Sequence, residues 1–428
     1  MDLTNGGIGS AHLRPYCSLR FSGHCSRTYP LIGSSRHHMK LLVLAPQPFF
    51  QNRGTPIATL KMLHVLADDG HEIDLLTFHE GTDIDLPGVR HLRIPTIPFT
   101  QGVPPGFSWR KLACDTAMAG KVLRLCWRNH YDVIHAVEES VFMAMLVKWT
   151  LGVPYIYDMD SSLPRQISDQ LPPLRMALPL LRFCERQAVR QSRGVVAVCQ
   201  SLEDVAASHS SDVPIVRIED ASLLTQEPAA DTPQVLALDG PIIMYVGNLQ
   251  TYQGIELLLD AFTHIYHQYH RAQLVIIGGA QPEIQLHRHY AQRNGVLDRT
   301  HFLGPRPVDQ LREYLQQADV LVSPRTLGTN TPMKIFSYLE SGTPVLATAL
   351  TMHTQVLDSE IAMLVDATPL EMARGIAALL DDYRLGMRLS AAAQQRMQTR
   401  FRPDVLDLKL SEFYQEIAST LGCETPTR

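Results

Sequence analysis

From residue 39 onward the sequence alternates short apolar runs with amphipathic segments, and this alternation constrains the fold most. In the first half the apolar runs occupy residues 40–45, 73–78, 132–137, 154–159 and 194–199. Such runs are typical of strands buried on both faces of a parallel sheet. The first amphipathic segment, from Pro56 to Asp69, predicts a helix because it starts with proline and stops at Gly70. The pattern therefore predicts βα units.

The alternation lapses between residues 219 and 240, where acids, prolines and alanines predict a linker. It resumes with apolar runs at 242–247, 273–279, 318–323 and 343–348. The 428 residues also exceed one ordinary hydrophobic core. We therefore predict an α/β protein of two doubly wound, Rossmann-like domains that face each other across a cleft. The predicted parts are a first domain at 39–220, a linker at 221–240, a second domain at 241–404, and a closing helix at 405–428 that could pack back on the first domain.

Residues 1–38 differ in composition from the rest, because Arg, Ser and His are plentiful and Asp2 is the only acid. One interpretation is a transit peptide. The other is a dispensable, non-native extension, since Met39 directly precedes the first apolar run.

The net charge, the spacing of the cysteines and the length of the apolar runs argue against several classes of function. A net charge of -5 gives no general case for a nucleic-acid partner. The seven cysteines are scattered without a CxxC pair, so they indicate neither a zinc site nor a disulfide framework. The apolar run at 141–147 is far shorter than the roughly 20 residues of a membrane span. A reducing cytoplasmic compartment fits these features.

The loop after the strand predicted at 318–323 has the features of an anion site. Thr331 is placed as an N-cap and Pro332 as the first residue of a short helix. Lys334 falls in the first turn, where the helix dipole alone disfavours a cation, so a nearby phosphate would explain it. Arg325 could clamp the same phosphate with bidentate geometry. The alternative is an ordinary capped helix with a solvated lysine.

This part of the chain runs from a strand through a Pro-x-Lys loop and a short helix to Ser-Gly-Thr-Pro and another strand. That order resembles the nucleotide-sugar loop of family-4 retaining glycosyltransferases, which have the GT-B fold. Similar segments lie at 39–77, 131–140, 242–262 and 301–325. The resemblance implies a nucleotide diphosphate sugar as co-substrate, no separate cofactor, and a carbohydrate or lipid-linked acceptor. It also maps His135 to a histidine near the transferred sugar. No DxD-type carboxylate pair follows a strand of the second domain, so no metal is predicted.

The chain departs from the family pattern at four donor positions. The family's Arg and Lys before the donor-domain helix correspond to the neutral Asn248 and Gln253, of which Asn248 is still a candidate for binding the donor. Its two glutamates correspond to Thr329 and Ser337. These departures leave two interpretations of the donor site open. A third interpretation keeps the fold but changes the reaction, to that of a sugar-nucleotide epimerase.

In the first interpretation the donor site is active. Arg325 and Lys334 then supply the missing charge, while Asn330, Thr331 and Ser337 hydrogen-bond sugar, phosphate or ribose. In the second, the chain is a non-catalytic sugar- or nucleotide-binding protein or a partner subunit. We favour the active transferase.

Further candidates follow other predicted strands. Gly54 starts a helix and would let backbone approach the sugar or diphosphate, and Arg53 beside it is a candidate for binding the acceptor. Gly278 would do the same for the nucleotide, with a plain turn as the alternative. His135, a candidate catalytic residue, is predicted at a strand end, where it would position the sugar; a satisfied core histidine is the alternative.

The loop that begins near residue 157 offers hydroxyl-binding groups or a base. These are Asp158, which is a candidate catalytic residue, and Asp160 and Arg165, which are candidates for binding the acceptor. A solvated capping loop is the alternative.

Two segments, at 108–130 and 178–193, mix arginine and lysine with apolar side chains. Basic amphipathic helices lie on anionic membranes, which would suit a lipid-linked acceptor at the cytoplasmic face. Most such helices simply pack on a sheet, so peripheral membrane contact is one of two interpretations.

Overall fold

The computed structural model describes residues 37–50, 54–103, 108–164, 176–224 and 235–422. Within them the chain forms two all-parallel β-sheets with helices packed on both faces of each. The predicted fold class, two doubly wound α/β domains, is confirmed.

The first sheet has seven strands in the order β3-β2-β1-β4-β5-β6-β7. Their bounds are Lys40–Ala45 (β1), Glu72–Thr77 (β2), Val89–Arg93 (β3), Val133–Val137 (β4), Tyr155–Met159 (β5), Gly194–Ala197 (β6) and Ile215–Arg217 (β7). The apolar pattern does not predict the two edge strands β3 and β7. Their residues are mostly only partly buried, so they carry no continuous apolar run.

Helices of the first domain cover both faces of this sheet. Their bounds are Gly54–Asp68 (α1), Trp109–Arg128 (α2), Ser140–Leu151 (α3), Leu178–Gln191 (α4) and Gln200–His209 (α5). The helices α2, α3 and α4 share one core cluster with one face of the sheet, and α1 lies in the cluster on the other face.

The second sheet has six strands in the order β10-β9-β8-β11-β12-β13. Their bounds are Ile242–Val246 (β8), Gln273–Ile277 (β9), Thr300–Gly304 (β10), Val320–Ser323 (β11), Val345–Thr348 (β12) and Met363–Val365 (β13). The strand order reverses between β8 and β11. In open α/β sheets this switch point, at the carboxyl ends of the strands, is where ligands bind.

The helices of the second domain are Ile255–Ile265 (α6), Gln281–Arg293 (α7), Leu311–Leu315 (α8), Lys334–Ser341 (α9), Thr351–Thr354 (α10), Pro369–Asp381 (α11) and Tyr383–Thr399 (α12). No helix in the described part of the chain is long and apolar enough to cross a membrane.

The last helix, Pro403–Leu421 (α13), returns to the first domain. Its Phe413, Tyr414 and Ile417 lie in the same buried cluster as Leu41 and Val43 of β1. The chain therefore crosses between the domains twice, once after β7 and once before α13.

Candidate active site

The carboxyl edges of the two sheets face each other. The side-chain amide of Asn330, in the loop after β11, donates to the backbone carbonyl of Asp160, which follows β5. The Ser201 hydroxyl, in the first turn of α5, donates to the Thr329 carbonyl at 3.2 Å. These contacts define the walls of the predicted cleft.

A cavity of about 490 Å³ lies where these walls meet. It is lined by Ser201 and Asp204 of the first domain, by the loop 326–329, and by residues 350–352 before and within α10. The volume falls in the range of small-molecule sites.

The loop after β11 is ordered by its own arginine. Arg325 Nε donates to the Leu327 carbonyl at 2.9 Å, and the guanidinium lies 5.0 Å from the ring centre of Tyr252. Gly328 has φ +109°, and a Cβ there would lie 2.4 Å from Arg325 Nη2, so glycine is needed for the arginine to fold over the loop. Burial lowers the pKa of Arg325 from its ordinary value.

The helix after this loop begins later than predicted. The regular helix α9 starts at Lys334, with Met333 in the cap position and no capping side chain, so the N-cap role predicted for Thr331 is wrong. The reason is a tighter turn, in which Ile335 N–H donates to the Pro332 carbonyl at 2.9 Å. The Thr331 hydroxyl is buried and has no hydrogen-bond partner within the described structure.

Lys334 is the only lysine between residues 241 and 404, and it points towards the end of β8. Its Nζ donates to Gln253 Oε1 at 3.0 Å and lies 3.8 Å from the ring centre of Tyr245. Burial, reinforced by the charge of Arg325, lowers the pKa of Lys334 well below its ordinary value. Among the described residues no carboxylate forms an ion pair with Lys334 or Arg325.

Two glycine turns bring the neighbouring strand ends close to Lys334. Gly247 has φ +152°, and a Cβ there would lie 3.1 Å from Lys334 Nζ. Gly278 has φ +108°, and its Cβ would lie 2.1 Å from the Gly247 carbonyl oxygen. Gly278 thus lets two loops pack together. Asn248, beside Gly247, is exposed, and its Nδ2 lies 3.4 Å from the Tyr252 hydroxyl.

His135 differs from the prediction. It lies in the middle of β4 and is fully buried. Its Nε2 is 3.0 Å from Asp158 Oδ2, and its Nδ1 is 2.6 Å from the Tyr414 hydroxyl of α13. Both ring nitrogens have partners, which fits the alternative of a satisfied core histidine, and the contact with the sugar stays a prediction. The partly buried Asp158 is the penultimate residue of β5, where the contact with His135 holds its carboxylate.

Ser337 is also placed differently from the prediction. It is buried in α9, and its hydroxyl accepts a hydrogen bond from Leu223 N–H at 2.9 Å. This bond ties the chain that enters the second domain to α9. The hydroxyl keeps its own hydrogen to donate, so the bond from Ser337 to a ligand stays a prediction.

The first-domain wall carries the remaining candidates. Gly54 begins α1, and a Cβ there would lie 3.9 Å from Cε of Met333 across the cleft. Burial first, and then the charges of Asp158 and Glu138, raises the pKa of Asp160 well above its ordinary value. Arg53 and Arg165 lie outside the described residues.

Two residues near the site were not predicted. Burial and the neighbouring Glu139 raise the pKa of Glu138 to about 7. The sequence feature that could have indicated Glu138 is the pair Glu138-Glu139 directly after β4. Burial and Asp158 similarly raise the pKa of Asp220 to about 7, against the opposing effect of Lys61.

His353 holds the loop after β11 in place, and no pattern in the sequence indicated this role. Its Nδ1 is 2.9 Å from the Thr348 carbonyl and its Nε2 is 2.9 Å from the Ser323 hydroxyl. The Thr348 hydroxyl in turn donates to the Arg325 carbonyl at 2.7 Å. Burial lowers the pKa of His353 to about 4, so the ring is neutral and connects the ends of β11 and β12.

Comparisons with known proteins agree with this geometry. Residues 53–219 match the family model described as Glycosyl transferase 4-like domain, and residues 240–382 match Glycosyl transferases group 1. A D-inositol 3-phosphate glycosyltransferase of Xylanimonas cellulosilytica is 26% identical over 80% of this chain and 86% of its own. A phosphatidyl-myo-inositol mannosyltransferase of Mycobacterium leprae is 24% identical over 89% of this chain and 98% of its own.

Solved structures share the architecture. Sucrose-phosphate synthase from Thermosynechococcus elongatus aligns with a TM-score of 0.73 at 19% identity, covering 89% of this chain and 100% of that one. HepE of Anabaena, in complex with UDP, aligns with a TM-score of 0.67 at 16% identity, covering 88% and 100%. Two glycosyltransferase domain models thus match the two halves of the chain in order, and the architecture is the GT-B fold of these solved structures.

Proposed function

We propose that the protein transfers a sugar from a nucleotide diphosphate sugar to a carbohydrate or lipid-linked acceptor, with retention of anomeric configuration and without a metal ion. The main support for this proposal is the environment of Lys334. This partly buried cation begins α9 at the switch point of the second sheet and has a neutral amide as its hydrogen-bond partner.

A diphosphate is the ligand chemistry that fits this environment. Burying a cation without an opposite charge is costly, and an anion beside it recovers part of that cost. Arg325 is close enough to lower the pKa of Lys334, so the two positive charges act on the same region. The α9 terminus adds the positive end of a helix dipole.

The proposed acceptor side is the first-domain wall at Gly54, Asp158 and Asp160. Carboxylates accept hydrogen bonds from sugar hydroxyls, and Asp158 is held in place by His135. The M. leprae relative is named for phosphatidyl-myo-inositol, a lipid. Its name supports a lipid-linked acceptor, and with such an acceptor we propose a working place at the cytoplasmic face of a membrane.

In the proposed reaction the acceptor oxygen bonds to the anomeric carbon on the face from which the diphosphate leaves. The acceptor proton passes to the leaving diphosphate, whose developing charge Arg325 and Lys334 stabilise. Closure of the two domains limits hydrolysis of the donor by water.

The first test is thermal stabilisation of the full chain by UDP, GDP and ADP and their sugars. We expect one nucleotide to stabilise the protein clearly. Lys334→Met should weaken its binding by about 1.5–3 kcal/mol, roughly ten- to a hundredfold, while Lys334→Arg retains the charge. Folded protein that responds to none of these ligands would favour the non-catalytic alternative.

A second test addresses the reaction. Nucleoside diphosphate should be released in quantity only when an acceptor is present, which separates a transferase from an epimerase. The anomeric proton signal of the product reports retention, and activity unchanged by EDTA supports metal independence. Inversion of the anomeric centre would overturn the assigned stereochemistry.

A further inference from the structure

Helices α2, α3 and α4 form one continuous outer face of the first domain. Helix α2 packs on α3, α3 packs on α4, and all three cover the same face of the first sheet. We call this surface the three-helix face. The sequence indicated α2 and α4 as separate basic segments, and the structure joins them through α3.

All three tryptophans of the chain lie on the three-helix face with their side chains exposed. Trp109 and Trp149 are 61% exposed and Trp127 is 81% exposed. Tryptophan is usually largely buried in soluble proteins and is enriched at membrane interfaces. Their common location therefore indicates a surface that is covered in the working protein.

Other large apolar side chains extend this exposure. The remaining exposed ones, in the three helices and two residues before α4, are Leu112, Leu146, Leu151, Met176, Leu180 and Phe183. The Trp149 indole N–H already donates to Gln191 Oε1 at 2.6 Å, so its ring is free to insert without leaving a polar group unpaired. Contiguous apolar surface of this kind marks an interaction site.

The charge of the three-helix face identifies the partner. Exposed arginines occur along α2 and α4, namely Arg124, Arg128, Arg182, Arg186 and Arg190. No aspartate or glutamate is exposed within the three helices, all of which are described: Asp115 is partly buried, and Glu185 is buried against Ser162 and His209. Exposed arginine and tryptophan without exposed acid match an anionic lipid surface.

We propose that the three-helix face docks on an anionic lipid bilayer. The 20 residues of α2 give a footprint about 30 Å long that lies flat on the interface. The amino-terminal ends of α2, α3 and α4 lie at the carboxyl edge of the first sheet, so docking places the cleft beside the bilayer. Delivery of a lipid-linked acceptor rests on the proposed function, whereas docking itself does not.

The experiment is co-sedimentation of the full chain with vesicles of phosphatidylglycerol and phosphatidylcholine, compared with pure phosphatidylcholine. We expect strong binding to the anionic vesicles, weak binding to the neutral ones, and weakening by salt. Because all three tryptophans lie on the docking face, their fluorescence should shift to the blue and be quenched by brominated lipids.

Two double variants test the two components of the three-helix face. Arg124→Ala with Arg128→Ala should lower vesicle affinity roughly fivefold per arginine. Trp109→Ser with Trp127→Ser should lower it at least as much, with Trp149 left as the reporter. The matched controls on the second domain, Arg384→Ala with Arg388→Ala and Leu286→Ser with Met387→Ser, should bind as the unmodified chain does.

Three results would overturn the proposal. They are no preference for anionic vesicles, unchanged binding by both double variants, and a stable dimer in solution that Trp127→Ser dissociates. Nucleotide binding by the variants, measured in parallel, separates loss of docking from loss of the donor site or of the fold.

Discussion

At the scale of the residue, the proposed donor site depends on Lys334, a lysine whose charged form is disfavoured by burial. In the free protein the pKa of Lys334 lies well below 10.5, because burial and Arg325 destabilise the cation. A bound diphosphate would favour the charged form and raise this pKa again. Between the free and bound pKa values, donor binding therefore takes up a proton, and affinity falls as pH rises through that window.

Calorimetry of nucleotide binding in two buffers of different ionisation enthalpy measures this proton. The measurement is made at a series of pH values above about 8, where the nucleotide phosphates are already ionised, so proton uptake there reports on the protein. We expect uptake by the unmodified chain and none by Lys334→Arg, since a guanidinium stays charged. Equal uptake by both would show that another group takes the proton.

A second residue-scale prediction concerns His353 as a positioning residue. His353→Ala removes the bonds to Ser323 and Thr348 that hold the loop of Arg325. We expect the KM for the donor to rise about tenfold with a smaller change in kcat, because the loop is displaced and the reacting groups are kept. His301→Ala, which removes one bond to Gln273 in the same domain, is the control. A pure loss of stability would contradict this role.

At the scale of the element, α13 is seated on the first sheet through a glycine. A Cβ at Gly194 of β6 would lie 2.5 Å from Cζ of Phe413. Gly194→Ala should therefore push α13 outward and lower the free energy of unfolding by about 1–3 kcal/mol.

Chemical unfolding measures this change, and Gly120→Ala is the matched control. Gly120 lies within α2, and a Cβ there would meet nothing within 4 Å, so its replacement should stabilise by about 0.5–1 kcal/mol. Equal effects of the two substitutions would refute the close seating of α13.

Individual helices and strands also show which parts of the fold a local sequence pattern predicts and which parts it misses. Buried strands such as β1 and β8 are continuous apolar runs, so local pattern is enough to find them. The edge strand β3 is partly exposed, and α9 starts after a tight turn at Pro332; neither feature has a local apolar or capping signal. The ring of His135 meets Tyr414 from the last helix, a contact that no local pattern contains.

At the scale of the whole molecule, one glutamine joins the two domains beside the cavity. Gln355 Nε2 donates to the Thr329 carbonyl at 2.9 Å, and Gln355 Oε1 accepts from Ser201 N–H at 3.1 Å. Gln355→Leu removes a bond between domains worth about 1 kcal/mol, so the closed form should become roughly fivefold less populated.

We expect this variant to hydrolyse more donor without acceptor, relative to transfer, and to show a larger radius of gyration in solution scattering. Gln394→Leu, which loses a bond to Glu340 inside the second domain, should change neither quantity. An unchanged ratio of hydrolysis to transfer in Gln355→Leu would show that this contact does not govern closure.

The return of α13 to the first domain also bears on how the protein is made. On the ribosome, residues 40–217 emerge long before Phe413 and Tyr414, which complete the buried cluster around Leu41 and Val43. Domains usually fold in order of synthesis, amino-terminal first. Here the first domain must wait for the end of the chain with an apolar face uncovered, so translation that stops before residue 403 would yield an aggregation-prone product.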